Sequence, residues 1–288
     1  MIRLSGETVR KLLLMPKGTI QRAYILPGLP HLASQIPAAS WETLRRGFRQ
    51  AAEHIQQVKP EVLVIYSTQW ISVLGHSFQT NPNPKGLHVD ENWYEYGDFP
   101  FDLRVDVDLT TRAAAIASSL GLATKTVNYN GFPVDTGVLV AQRFVNPQHT
   151  IPLVIVSCNI YAGQEDSLTL GRAMRQAIEE SGKRTVVIAC TGLSGRFFTE
   201  AIDPLQDRFS RAEDDTWNRR VLERIAQGKN SEVLLGSEEY AKTAVPDMGF
   251  KAFAWLMGVL GTPATPGQTL AYGPVWGTGA AVVEYVLA

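Results

Sequence analysis

Three stretches constrain the fold more than anything else in the chain. "EVLVIYSTQW" (residues 61–70), "IPLVIVSC" (residues 151–158) and "RTVVIACT" (residues 184–191) carry aliphatic side chains on consecutive positions. Side chains alternate across a strand, so a run that is apolar on consecutive positions needs cover on both faces. Helical spacing supplies that cover. Trp41, Leu44, Phe48, Ala51, Ile55 and Val58 recur every three or four residues, with Ser40 as the expected cap, Glu42 in the first turn and Pro60 beyond the end. Asp108 is expected to cap "LTTRAAAIASSL", which Gly121 stops. Further helices are predicted over residues 166–181, 213–226 and 247–260, and further strands over residues 22–28 and the C-terminal "AAVVEYVLA". This alternation predicts a single α/β domain, its central sheet mostly parallel or mixed and flanked by helices. Residues 1–20 read as an N-terminal arm or leading element, and 21–288 as the domain.

Charge and composition exclude several classes. The net charge of -1 gives no basic footprint for nucleic acid or anionic lipid. The apolar runs are too short to span a bilayer, and residues 1–20 lack the uninterrupted apolar core of a signal peptide. Cys158 and Cys190 each sit inside an apolar run, which predicts buried thiols in a reducing cytoplasm. No Cys/His pair has zinc spacing.

The strand tips carry the candidate chemistry, because loops at the C-terminal ends of α/β strands build the pockets. "LPGLPHLAS" places His31 after the first strand. "YSTQW" places Gln69 after the next. "NGFPVDTGV" sets Asp135, Thr136 and Gly137 in a loop. "CTGLSG" delivers Ser194 and Gly195, and "AVPDMGFKAFAW" opens the late apolar helix with Asp247, Met248 and Gly249. His54, His76, His88 and His149 are expected in structural or hydrogen-bonded roles. Ser194 has no histidine in a matching frame, so hydrolase chemistry is not expected.

These tips resemble the class III extradiol ring-cleavage dioxygenases. The resemblance implies an α/β fold holding one non-haem Fe(II) by two histidines and a carboxylate. It implies a histidine ligand after the first strand and a second in a Ser-Asn-His-Trp-like motif. It implies a glutamate ligand on a late helix, and pocket histidines in Asp-His-Gly and Gly-Leu-Ser-His motifs. Here those frames hold His31, Gln69, Gly249, Thr136 and Gly195 respectively, so the resemblance implies vestigial positions and no iron in this chain. "HVDENWYEYGD", "NYNGFPVDTG", "EDDTWNRRVL" and "DMGFK" look most like the non-catalytic α subunits of aminophenol-cleaving members. By that likeness the partner is a homologous iron-bearing β subunit in an α2β2 heterotetramer. Such an assembly would cleave 2-aminophenol, or a related aminophenol or catechol, with O2. The dense aromatics Trp93, Tyr94, Tyr96, Phe99 and Phe101 are expected at the partner contact. Two alternatives stay open: a metal enzyme with a rearranged set, such as His31 with His76 or His88 and Asp247, and a stand-alone small-molecule binding protein.

Overall fold

β2 (Val62–Ser72) carries one of the aliphatic runs through the middle of the sheet, with β7 (Leu153–Asn159) and β8 (Arg184–Cys190) parallel on either side. In the computed structural model, which describes residues 17–261 and 264–287, eight strands order as β6-β3-β7-β2-β8-β1-β10-β9. β1 (Thr19–Leu26) runs parallel to β8 and antiparallel to β10 (Thr278–Val286), which pairs antiparallel with β9 (Gly267–Val275). At the other end β3 (His76–Gln79) pairs parallel with β6 (Thr124–Val127) and antiparallel with β7. The sheet is therefore mixed. A separate antiparallel ribbon joins β4 (Lys85–Val89) to β5 (Asp98–Asp102).

Side-chain parity divides the strands between two cores. Val62, Val64 and Tyr66 face one core, and Leu63 and Ile65 face the other. The first core takes α2 (Val107–Ser119), α4 (Gln164–Ser181), α5 (Ala212–Ala226) and α8 (Lys251–Leu260). The second takes α1 (Ala39–Val58) and α3 (Thr136–Val145), with Phe99 and Phe101 from the ribbon. α4 and α8 cross where Gly171 meets Gly258; a Cβ on Gly171 would stand 2.2 Å from the Trp255 carbonyl oxygen. Two short helices, α6 (Asn230–Leu235) and α7 (Ser237–Ala244), complete this side.

Local chemistry corrects several sequence expectations. Ser40 is not the cap of α1: Ala38 holds that position without a side-chain bond, and the Ser40 hydroxyl is buried inside the helix. Asp106, not Asp108, caps α2 by accepting from the Leu109 N–H at 3.2 Å. Residues 135–137 are not a loop, because Asp135 caps α3 and Thr136 is its first residue. The late helix starts at Lys251, and the preceding turn, Asp247–Phe250, carries positive φ at Met248, Gly249 and Phe250. Residues 1–16 of the expected arm lie outside the described residues, and Thr19 and Ile20 already belong to β1. Among the described residues no helix is long and apolar enough to cross a membrane.

Candidate functional site

β2 leaves its ladder at the polar tip. Ser67 pairs with Ser157 and Ile71 pairs with Cys158, so residues 68–70 have no partners on β7. Such a bulge re-aims side chains, and here Thr68 and Gln69 enter the wall of a cavity of about 580 Å³. The cavity lies at the C-terminal tips of β1, β2 and β8. Gly28 to Pro30 follow β1; Gly192, Ser194, Gly195 and Phe197 follow β8. His88 and residues 90–93 close it from the ribbon, and Asp135, Thr136 and residues 245–248 complete it.

Two carboxylates organise this wall. Asp247 Oδ2 accepts from the Thr68 hydroxyl at 2.5 Å, the Thr191 hydroxyl at 3.1 Å and the Gly192 N–H at 3.0 Å. Its Oδ1 makes no hydrogen bond within the described chain. Asp90 anchors a second group: the Thr136 hydroxyl donates to Asp90 Oδ2 at 2.6 Å and lies 2.7 Å from His88 Nε2. A threonine hydroxyl has one proton. Given to Asp90, it obliges Thr136 to accept from His88 Nε2–H. Asp135 is buried, which pushes its carboxyl up, while the Ser67 hydroxyl at 2.6 Å and the Val138 N–H oppose the shift.

The family frames fare unequally. Gln69 lines the cavity, but its amide donates to the Gly28 carbonyl at 3.0 Å. Thr136 and Gly195 also line it. Gly195 N–H bonds the Val245 carbonyl, and a Cβ there would come within 2.9 Å of that oxygen, so the backbone leaves no room for a larger residue. Gly249 does not line this cavity; it borders a smaller pocket with Gln164 and Lys251. His31 is not in the wall either. It is fully buried in an aromatic cage, with ring centroids of Tyr96 at 4.3 Å, Trp93 at 4.5 Å, Trp41 at 5.2 Å and Trp276 at 5.5 Å. Neither ring nitrogen has a hydrogen-bond partner among the described residues, and burial pushes the imidazole down to about 3.

His76 is buried on β3 and does not line the cavity, while His54 bonds Glu284 at 2.9 Å on another part of the sheet. Ser194 pairs with the Asn218 amide at 2.9 Å rather than with an imidazole. The five aromatics expected at the partner contact differ in exposure. Phe99 and Phe101 sit in the chain's own core, and Trp93 and Tyr96 are half-buried over His31; Tyr94 alone of the five is exposed.

A model of the family described as the catalytic LigB subunit of aromatic ring-opening dioxygenase matches residues 25–283. The chain belongs to the LigB family. It is 37% identical over 270 residues to the 2-aminophenol 1,6-dioxygenase alpha subunit of a Pseudomonas species, covering 93% of this chain and 99% of that one. It is 32% identical over 293 residues to the beta subunit of the same name from Pseudomonas, covering 95% and 96%. The fold also matches an uncharacterized Escherichia coli K12 protein with a TM-score of 0.65 at 13% identity, over 92% of this chain and 99% of that one.

The iron implied for catalytic LigB members does not fit the residues here. Among the described residues no group of three or more His, Cys, Asp or Glu is arranged to hold a metal. The imidazole that the frame retains is walled off by rings, and one amide replaces the other. Sequence reasoning expected a hydrogen-bonded His88 and named Asp247 at a strand tip, but did not place the two in one cavity wall. The signal for His88 was present in "KGLHVD", where Leu87 and Val89 flank it with period two and turn it to the opposite face.

Proposed function

We propose that this LigB chain is the non-catalytic α subunit of a heteromeric extradiol dioxygenase that opens the ring of 2-aminophenol, or a related aminophenol or catechol, with O2. Fe(II) belongs to a homologous β subunit, in an α2β2 assembly. One observation carries the reading: every family frame that supplies a ligand or a pocket imidazole is either substituted, as at Gln69, Thr136 and Gly195, or turned away, as at His31. Without those groups the cavity has neither a ligand set for Fe(II) nor the acid-base histidines expected of the reaction. The likeness to proteins named as alpha and beta subunits of one enzyme supports a partner of the same fold. The outward side of the ribbon segment, with Tyr94, Leu87 and Val89 exposed, is the proposed contact, and Phe99 and Phe101 anchor that segment from within.

The test is reconstitution. The chain purified alone, loaded anaerobically with Fe(II), is expected to retain no stoichiometric iron and to leave 2-aminophenol intact. Co-expressed with an iron-binding homologue, it is expected to co-purify with ring-cleaving activity. Stoichiometric iron with turnover by this chain alone overturns the reading.

A further inference from the structure

The cavity at the strand tips has a chemical bias of its own. Its wall includes Asp90, Glu91, Asp135 and Asp247 and no lysine or arginine. Asp247 Oδ2 is held only by neutral donors, and Oδ1 has no partner within the described chain. The His88 Nε2–H is committed to Thr136. The free oxygen of the Asp247 carboxylate is thus an acceptor that faces no cationic side chain in the wall. Trp93 and Phe197 add an aromatic wall, their centroids 5.9 Å apart and their planes inclined by 37°. Phe197 is 42% exposed, so its ring is accessible. The volume of about 580 Å³ is generous for one ring, since about 150 Å³ holds a benzene molecule in a protein interior.

We propose that this cavity is a metal-free binding site for a small aromatic molecule that carries an amine or ammonium group and no acid group. The inference rests on reading this chain as a subunit whose cavity holds no iron. The N–H donors of the ligand meet Asp247 Oδ1, and its ring lies against Trp93 and Phe197. A cation gains from both the carboxylates and the ring faces. An aromatic acid meets like charge with no cation to receive it, so the site discriminates by charge sign as well as by shape.

The experiment titrates the full-length chain, alone and co-purified with its partner, with benzylamine, 2-aminophenol and benzoate at neutral pH. Binding is followed by calorimetry and by tryptophan fluorescence. Saturable binding of both amines is expected, with benzoate at least about tenfold weaker. Asp247→Asn should weaken benzylamine by about tenfold or more. Because Asp247 also holds the Gly192 loop, Phe197→Ala serves as a second variant outside that network; it should weaken both amines several-fold while circular dichroism stays unchanged. The proposal is overturned if benzoate binds as tightly as benzylamine, if no probe saturates, or if Phe197→Ala folds and binds as the wild type does. Iron content and co-purification on the same preparations report separately on the subunit reading, so either can fail without the other.

Discussion

On the function proposed above, His31 and Gln69 keep family frames without their chemistry. The imidazole of His31 lies among four rings, and burial alone holds it near 3 against an ordinary value of 6.5. Between those values the unfolded chain binds a proton that the folded chain refuses, so stability falls as pH drops from about 6.5 toward 3. His31→Phe keeps a ring in the cage and removes the titration. Its melting temperature should exceed that of the wild type, by the equivalent of about 1–3 kcal/mol for two unpartnered nitrogens, and the gap should widen on acidification through that window. Melting curves at stepped pH check this; a gap that stays constant or narrows would mean that the imidazole is not held neutral. Gln69→His follows the same logic. It places an imidazole at the bulge while His31 stays inside its cage and no carboxylate joins it, so ring cleavage should stay at background. Turnover by that variant at a substantial fraction of the assembly's rate, assayed with measured iron content, would show that the missing groups have been misassigned.

At the scale of elements, two glycines separate conformational from steric cost. Gly249 sits at φ +65 with nothing within 4 Å of where a Cβ would stand, so Gly249→Ala costs only the left-handed backbone, about 1 kcal/mol. Gly171 lies at the α4–α8 crossing, where a Cβ meets the Trp255 carbonyl oxygen at 2.2 Å. Gly171→Ala must push the helices apart, and a loss of about 3 kcal/mol or more is expected. Urea unfolding of both variants checks the order; similar losses would mean that the crossing is looser than its backbone contacts indicate. These elements also mark where the sequence was legible. β2, β7, β8, α1 and α4 could be read because two-sided burial and helical spacing leave periodic signatures. β4 and β5 could not: "KGLHV" and "DFPFD" are short, contain Gly or Pro, and gain order by folding back over the core. The starts of α1 and α2 were misjudged because Ser40 and Asp108 are good caps by type, while the backbone begins its turn two residues earlier in each. The substituted frames at the strand tips were legible as motifs. That His31 turns from the cavity and His88 enters it was not, because both depend on how the ribbon segment packs against α3 and the turn after β1.

At the scale of the whole molecule, the ribbon joins the cavity to the outside. Its inward residues serve this chain: His88 and Trp93 line the cavity, and Phe99 and Phe101 fill the second core. Its outward side carries apolar residues with no occupant among the described residues, Leu87 60%, Val89 41% and Tyr94 69% exposed, beside the exposed Lys85–Asp102 ion pair. Exposed apolar residues clustered on one short element mark interaction surfaces more often than scattered ones do. The partner contact is therefore expected on this outward face, and not on the aromatics turned inward. Leu87→Ala combined with Tyr94→Ala should leave folding within about 0.5 kcal/mol, because both side chains are exposed. The same pair should cost about 2 kcal/mol or more in association if they lie near the centre of the contact. Trp93→Ala combined with Tyr96→Ala would loosen the His31 cage and so confound folding with binding. The decisive comparison is size-exclusion of co-expressed complexes at low concentration, with melting curves for each isolated chain. A Leu87/Tyr94 double variant that melts like the wild type and elutes as free subunits places the contact on the ribbon. Unchanged elution would move it to another face, and the exposed apolar row at Ile71, Val73 and Leu74, beside the cavity mouth, would be the next surface to truncate.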